Sequence, residues 1–377
     1  MTAGHIKQHT AALFSVDRPA LIPALSVAVV SLAYVLIVLW LNHWDPMTFV
    51  RLGTRYGQGD PNGTIGYDGQ FAYQMALHPL GATPYLDIPP YRYQRLLYPL
   101  TARLVALGWP QLIPWTLLGL NLVALAVGTY TMARLLILHR LNPWYALPVG
   151  LFAGQLVSLR LDLNEPFALT FALLAVYAFE KDRSRWGALF LALSVLSKET
   201  SVAFIGGYLL YYCLRRQWRT LVETGLISLG PFALLQLAIW LNFGEIGLRS
   251  GGQGATSFSW LPFGGMFAFG FDNLQTLIVV LLILGPLILL PCLALTANLV
   301  RFFRHGNLSP IALVLALHIL MLATLPFSTY VDFPGVLRLT SGLVVAALAY
   351  AASVRATKTL NYALLWLASI PLLTFIG

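Results

Sequence analysis

Charge is the scarcest property of this chain. Only 10% of its 377 residues are Asp, Glu, Lys or Arg, against about 25% in a soluble domain. So little charge cannot clothe a soluble surface. With 58% of residues hydrophobic, the chain reads as a polytopic membrane protein. Acids are scarcer than bases, and the net charge is +9. In a soluble protein that excess points toward nucleic acid. Here the basic residues lie between apolar runs, where they orient the chain in a membrane, so no nucleic-acid partner is expected.

Cysteine is nearly missing as well. Cys213 and Cys292 both fall in apolar runs, which excludes a disulfide framework or a cysteine-ligated metal. The seven histidines are scattered without HExxH-type spacing, so no metal site is expected from them. No inverted repeat of the transporter kind is visible. The first apolar run has no small-residue cleavage site behind it and reads as a retained anchor. Gly251-Gly252-Gln253-Gly254 lacks the strand–helix context of a phosphate-binding fingerprint, and reads as a mobile loop or lid.

What is present is a series of apolar runs. The expected fold is all-α: a single transmembrane helix bundle over residues 1–377, with about eleven crossings. Residues 1–20 form a cytoplasmic N-terminus before the span Leu21–Leu41. A long first outer loop, 42–95, carries a short interfacial helix at Gly69–Leu77, with Phe71 and Met75 on one side. A short apolar helix is expected at Leu96–Leu107. Spans follow at Ile113–Leu138, Trp144–Leu159, Pro166–Phe179, Trp186–Leu196, Ser201–Leu214 and Leu221–Leu241. After a second long loop, 242–273, come Leu274–Val300, Pro310–Leu325, Leu339–Val354 and Leu360–Ile376. Two short runs meeting at Lys198-Glu199-Thr200 read as a helix pair broken near one membrane face.

The orientation rule places the N-terminus in the cytoplasm. That choice puts 14 of the 23 Lys and Arg residues in short cytoplasmic loops. It puts ten of the fourteen acids outside. Mixed charge gathered on one face points to a polar site there.

Four clusters on that face carry chemistry. The first is Tyr67-Asp68-Gly69-Gln70. Asp68 reads either as a general base that takes a proton from a hydroxyl or as the N-cap of the helix behind it; the two roles are compatible. The second is Tyr91-Arg92-Tyr93-Gln94-Arg95. Arginines three apart share a face of a helix and suit bidentate phosphate binding; an interfacial anchor is the alternative. In the third, Asp162, Glu165 and Pro166 fit a helix start. Asp162 and Glu165 cap that helix, pair with Arg160, or orient a substrate. In the fourth, Lys198 meets a phosphate, or pairs with Glu199 or Asp162. Asp332 and Arg338, in the last internal outer loop, add an acid and a phosphate binder.

Together these residues suit a lipid phosphate at the membrane surface. The stretches Gly66-Tyr67-Asp68-Gly69-Gln70, Tyr91-Arg92-Tyr93-Gln94-Arg95-Leu96-Leu97-Tyr98-Pro99, Asn164-Glu165-Pro166 and Leu196-Ser197-Lys198-Glu199-Thr200 resemble a bacterial family of multi-spanning proteins linked to surface glycopolymer formation. More distantly the chain resembles the GT-C superfamily of glycosyltransferases that use polyprenyl-phosphate sugars, the dolichol-dependent mannosyltransferases among them. The resemblance implies a bacterial inner-membrane location, with Asp68 as catalytic base on the outer face. It implies a polyprenyl-phosphate-linked sugar as donor and a glycan or lipid as acceptor. Arg92, Arg95, Lys198 or Arg338 then holds the phosphate. Tyr67, Gln70, Asp162, Glu165 and Glu199 complete the substrate-binding set. The superfamily often places a second acid beside the first; here Tyr67 holds that position. A divalent metal is therefore left open and no cofactor is assigned. Two other readings use the same residues: a flippase for lipid-linked sugars, and a non-catalytic subunit of an envelope polysaccharide machine.

Overall fold

The computed structural model describes residues 17–252 and 254–375. Most of the expected cytoplasmic N-terminus, residues 1–16, lies outside them, as does Gln253 of the glycine-rich loop. The described chain is all-α, 77% helical, with no strands; the nearest to one is an isolated bridge between Leu52 and Gly66.

Among the described residues, five helical stretches are long and apolar enough to cross a membrane: Arg18–Leu41, Pro110–Leu138, Trp218–Phe243, Leu274–Arg304 and Phe333–Ser353. In lipid every backbone N–H and C=O needs an internal partner, which a helix supplies. In chain order we name α1 (Arg18–Leu41), α2 (Gly69–Leu77), α3 (Pro89–Tyr93), α4 (Leu97–Val105), α5 (Ile113–Leu138), α6 (Ala153–Arg160), α7 (Glu165–Glu180) and α8 (Ser184–Ser197). There follow α9 (Val202–Leu214), α10 (Trp218–Phe243), α11 (Leu274–Leu284), α12 (Leu290–Arg304), α13 (Pro310–Ala323), α14 (Phe333–Ser353) and α15 (Thr357–Ala363).

Two helices meet the expected bounds residue for residue: the short α2 and the long apolar α5. The expected span Trp144–Leu159 is broken instead. It consists of a 3-10 turn at Pro143–Ala146, a short helix Leu147–Leu151, and α6, with extended backbone at Phe152 between the last two. Pro148 lacks the N–H that would bond back to Trp144. The run Leu274–Arg304 carries a π-turn at Gly285–Leu289, around Pro286. As expected, α8 and α9 are short, about 20 Å each, and a 3-10 turn at Glu199–Ser201 joins them.

One boundary changes the site. The penultimate span is expected to begin at Leu339, which leaves Arg338 in a loop. It begins at Phe333, so Arg338 is helical. The reason lies in packing. α14 is buried along nearly all its length, so an arginine within it meets protein rather than lipid. The outermost helices do the reverse. α1 exposes Ile22, Leu25, Val29, Ile37 and Trp40, and α10 exposes Leu226, Leu234 and Leu241. In water such a belt is an aggregation liability; against lipid it is the ordinary outer surface of a bundle.

Candidate functional site

The polar residues converge where α2, α3, α7, α14 and the α8–α9 junction meet. Asp68 is the centre. Its Oδ1 lies 3.0 Å from Arg92 and its Oδ2 lies 2.7 Å from Arg338. Asp68 stands at the N-cap position of α2, yet its side chain makes no capping bond. The capping alternative is thereby corrected: two guanidinium groups are stronger partners than one backbone N–H. Burial alone pushes the Asp68 carboxyl upward. The charges of Arg92 and Arg338, backed by Arg95 and Lys198, outweigh it and hold the group well below the usual carboxylate range.

Gly69 makes this position attainable. A Cβ there would lie 2.1 Å from the carbonyl oxygen of Leu161. Only glycine lets α2 press its first turn onto the backbone between α6 and α7. Gly69→Ala is therefore expected to cost about 1–3 kcal/mol through overpacking, read as a lower thermal unfolding midpoint. An unchanged midpoint would contradict this close contact.

The remaining cations are each held by a carboxylate. Arg92 makes a bidentate pair with Asp87, at 2.7 and 2.8 Å. Arg95 makes one with Glu199, at 2.7 Å on both arms. Lys198 meets Glu165 at 2.9 Å, each side chain only 5% exposed. Arg338 also approaches Glu165, at 3.8 Å. Tyr91 stacks under both Arg92 and Arg95, and Phe71 lies beneath Arg92. Burial raises the Glu199 carboxyl, but Arg95 and then Lys198 bring it down to about 2.

A cavity joins these groups. Asp68, Arg92, Arg95, Glu165, Lys198 and Arg338 all line it. The expected alternative pairings are corrected. Lys198 pairs with Glu165 rather than with Glu199 or Asp162. Glu165 does not pair with Arg160, whose guanidinium donates to the Thr48 carbonyl at 2.6 Å.

Other expected substrate contacts are engaged elsewhere. Gln70 is fully buried, donating to the Ile65 carbonyl and accepting from Gly53 N–H; it braces the loop before α2. The Tyr67 hydroxyl donates to both oxygens of Asp332, at 3.0 and 2.9 Å, with Arg338 over its ring. Glu199 serves the site through Arg95. Asp162 sits in left-handed backbone, φ 48°, fully buried, and neither carboxylate oxygen has a hydrogen-bond partner. Burial pushes its carboxyl well above the ordinary range.

That shift has a defined sign. Between its ordinary and raised values the folded protein keeps the Asp162 proton and the unfolded chain sheds it, so stability declines as pH rises. Asp162→Asn removes the dependence. The variant is expected to be more stable by roughly 1–3 kcal/mol at about pH 8, the gap closing toward about pH 4. Thermal midpoints across that range test it; a variant less stable than the parent at the upper end contradicts it.

Sequence reasoning overlooked Asp87 as a site residue. The signal was available, an acid five positions before Arg92, but nothing local marked it off from the other loop acids.

A divalent ion does not fit this donor set. Both Asp68 oxygens are taken by guanidinium groups, Tyr67 precedes it, and no three metal-ligating side chains converge among the described residues. No family model, curated protein or solved structure matches the chain.

Proposed function

We propose that this protein is a membrane glycosyltransferase of GT-C type. It moves a sugar from a polyprenyl-phosphate donor to an acceptor hydroxyl, in surface polysaccharide or glycolipid synthesis. The observation that carries the reading is Asp68 held between Arg92 and Arg338 on a cavity also lined by Arg95 and Lys198. One potential base and four cations thus adjoin one space. A docking subunit has no need of such a cavity. The succession of helices and the charge distribution support about eleven crossings, a cytoplasmic N-terminus and a site on the outer face of a bacterial inner membrane.

The reaction balances with these residues. Asp68 takes the proton from the acceptor O–H. The oxygen attacks the anomeric carbon in line, with inversion. The bond from that carbon to the phosphate oxygen breaks, and its electron pair leaves with the polyprenyl phosphate. The leaving group gains one negative charge, which the arginines and Lys198 stabilise.

The charge count adds a constraint. Arg92, Arg95, Lys198 and Arg338 are matched by Asp68, Asp87, Glu165 and Glu199. A donor phosphate therefore meets cations that are already paired, with Asp332 a further acid near Arg338, and competes for partners already in use. Arg338 and Arg92 are the ones whose transfer to phosphate also releases Asp68. Release raises the basicity of the carboxylate when the donor is in place.

The test is reconstitution with synthetic donor and acceptor on one side of the bilayer. Product formed on that side upholds the enzyme. Movement of intact donor across the bilayer without product replaces it with the flippase.

A further inference from the structure

A second narrow cavity adjoins the charged cluster and is not used by the transfer step. It lies between α7, α9, α13 and α14, and shares Glu165, Lys198 and Arg338 with the Asp68 cavity. Its free space of about 20 Å³ suits one water-sized group. Ala168, Phe204 and Leu339 form apolar walls, Thr200 and Ser201 add hydroxyls, and His318 also lines it.

His318 is fixed on three sides. Its Nδ1 lies 2.9 Å from the Val314 carbonyl. A carbonyl only accepts, so Nδ1 donates, and in the neutral ring Nε2 is left as an acceptor. The ring meets Phe204 edge-on, at a centroid distance of 4.7 Å. Gly342 supplies the notch on the third side, because a Cβ there would lie 2.9 Å from Nε2. His318 is only 2% exposed; with Nδ1 engaged at Val314, Nε2 is the ring nitrogen beside Gly342.

We propose that this cavity is a specificity pocket for one hydroxyl-bearing substituent of a sugar, whose O–H donates to His318 Nε2. The proposal rests on the sugar-transfer reading and names a residue that this reading does not use. An isoprenoid chain has no O–H and would leave the lone pair unmatched; it is also too bulky for a water-sized space. A phosphate held by Lys198 and Arg338 would sit at the boundary of the two cavities, and a sugar attached to it reaches inward from there.

The experiment uses the full-length protein in lipid nanodiscs and three probes: a polyprenyl phosphate without sugar, and its mannosyl and glucosyl derivatives. His318→Leu removes the acceptor while roughly keeping the volume. It is expected to weaken at least one glycosylated probe about three- to tenfold and leave the bare phosphate unchanged. Gly342→Ala, which crowds the ring, is expected to give the same pattern. Thermal midpoints verify that both variants are folded. Equal loss for all three probes, or no loss for any, overturns the pocket and leaves the transfer reading intact. Wild-type protein that binds none of the probes overturns that reading, and the pocket with it.

Discussion

Asp68→Asn is expected to reduce sugar transfer by about 10²- to 10⁴-fold, the usual contribution of a positioned general base. Asparagine keeps the size of the side chain and one acceptor oxygen. It cannot take up the acceptor's proton. Folding is expected to persist, because Arg92 retains its bidentate pair with Asp87 and Arg338 retains Glu165 nearby. A second readout separates the base from a mere structural brace. In the proposed reaction the carboxylate competes with donor phosphate for Arg92 and Arg338. Without its charge, donor affinity should hold or tighten even as turnover collapses. Transfer at the parent rate removes Asp68 from the role of base. Loss of donor binding along with turnover would mean that the carboxylate builds the donor site.

The second large effect is expected at Arg338. Arg338→Leu removes the charge that contacts Asp68 at 2.7 Å and faces Glu165. Removing one partner from a buried ion network is destabilising, by about 3–5 kcal/mol where the remaining charge is uncompensated. Here the cost is expected at the low end, since Asp68 keeps Arg92 and Glu165 keeps Lys198. Transfer should drop about 10²- to 10³-fold through lost stabilisation of the leaving phosphate. The pH profile gives the sharper readout. In the parent, Asp68 lies well below the ordinary carboxylate range, so its base form persists into acid. With one of its two neighbouring charges gone, the group titrates at higher pH. The acidic limb of the rate profile should therefore move upward. Arg338→Lys retains the charge and should restore that limb, with only part of the rate, because an ammonium cannot reproduce the planar fork. A limb that stays in place in Arg338→Leu argues that Arg338 does not act on Asp68.

Most of the charged side chains that line the candidate site's cavity could be read in the linear chain. Asp68, Arg92, Arg95, Glu165, Lys198 and Arg338 were each singled out by a charge in a chain that carries few. Charge near an apolar span is costly, and it survives where it is paired or used. The partners could not be read in the same way. Lys198 had two acids suggested for it and chose a third. Asp68 looked equally suited to capping α2, but its carboxylate pairs with two arginines and makes no capping bond. Gln70, next to the motif glycine, looked like a substrate contact, yet both ends of its amide brace the preceding loop. His318 carried no mark at all, because a lone histidine in an apolar run is ordinary until its neighbours are known.

The division follows from the range of the forces. The helical class, the membrane-length runs and the short α8–α9 pair follow from the sequence by itself. Helix hydrogen bonds span four residues, and the apolar length a bilayer demands is a local sum. The placement of Arg338 inside α14, the pairing scheme and the two cavities were decided by tertiary packing. Arg338 and Asp68 are 270 positions apart, Tyr67 and Asp332 are 265 apart, and Arg95 and Glu199 are 104 apart. Coulomb attraction alone joins any of these cations to any of the acids. The bundle selects among them by bringing a few side chains within about 3 Å of one another.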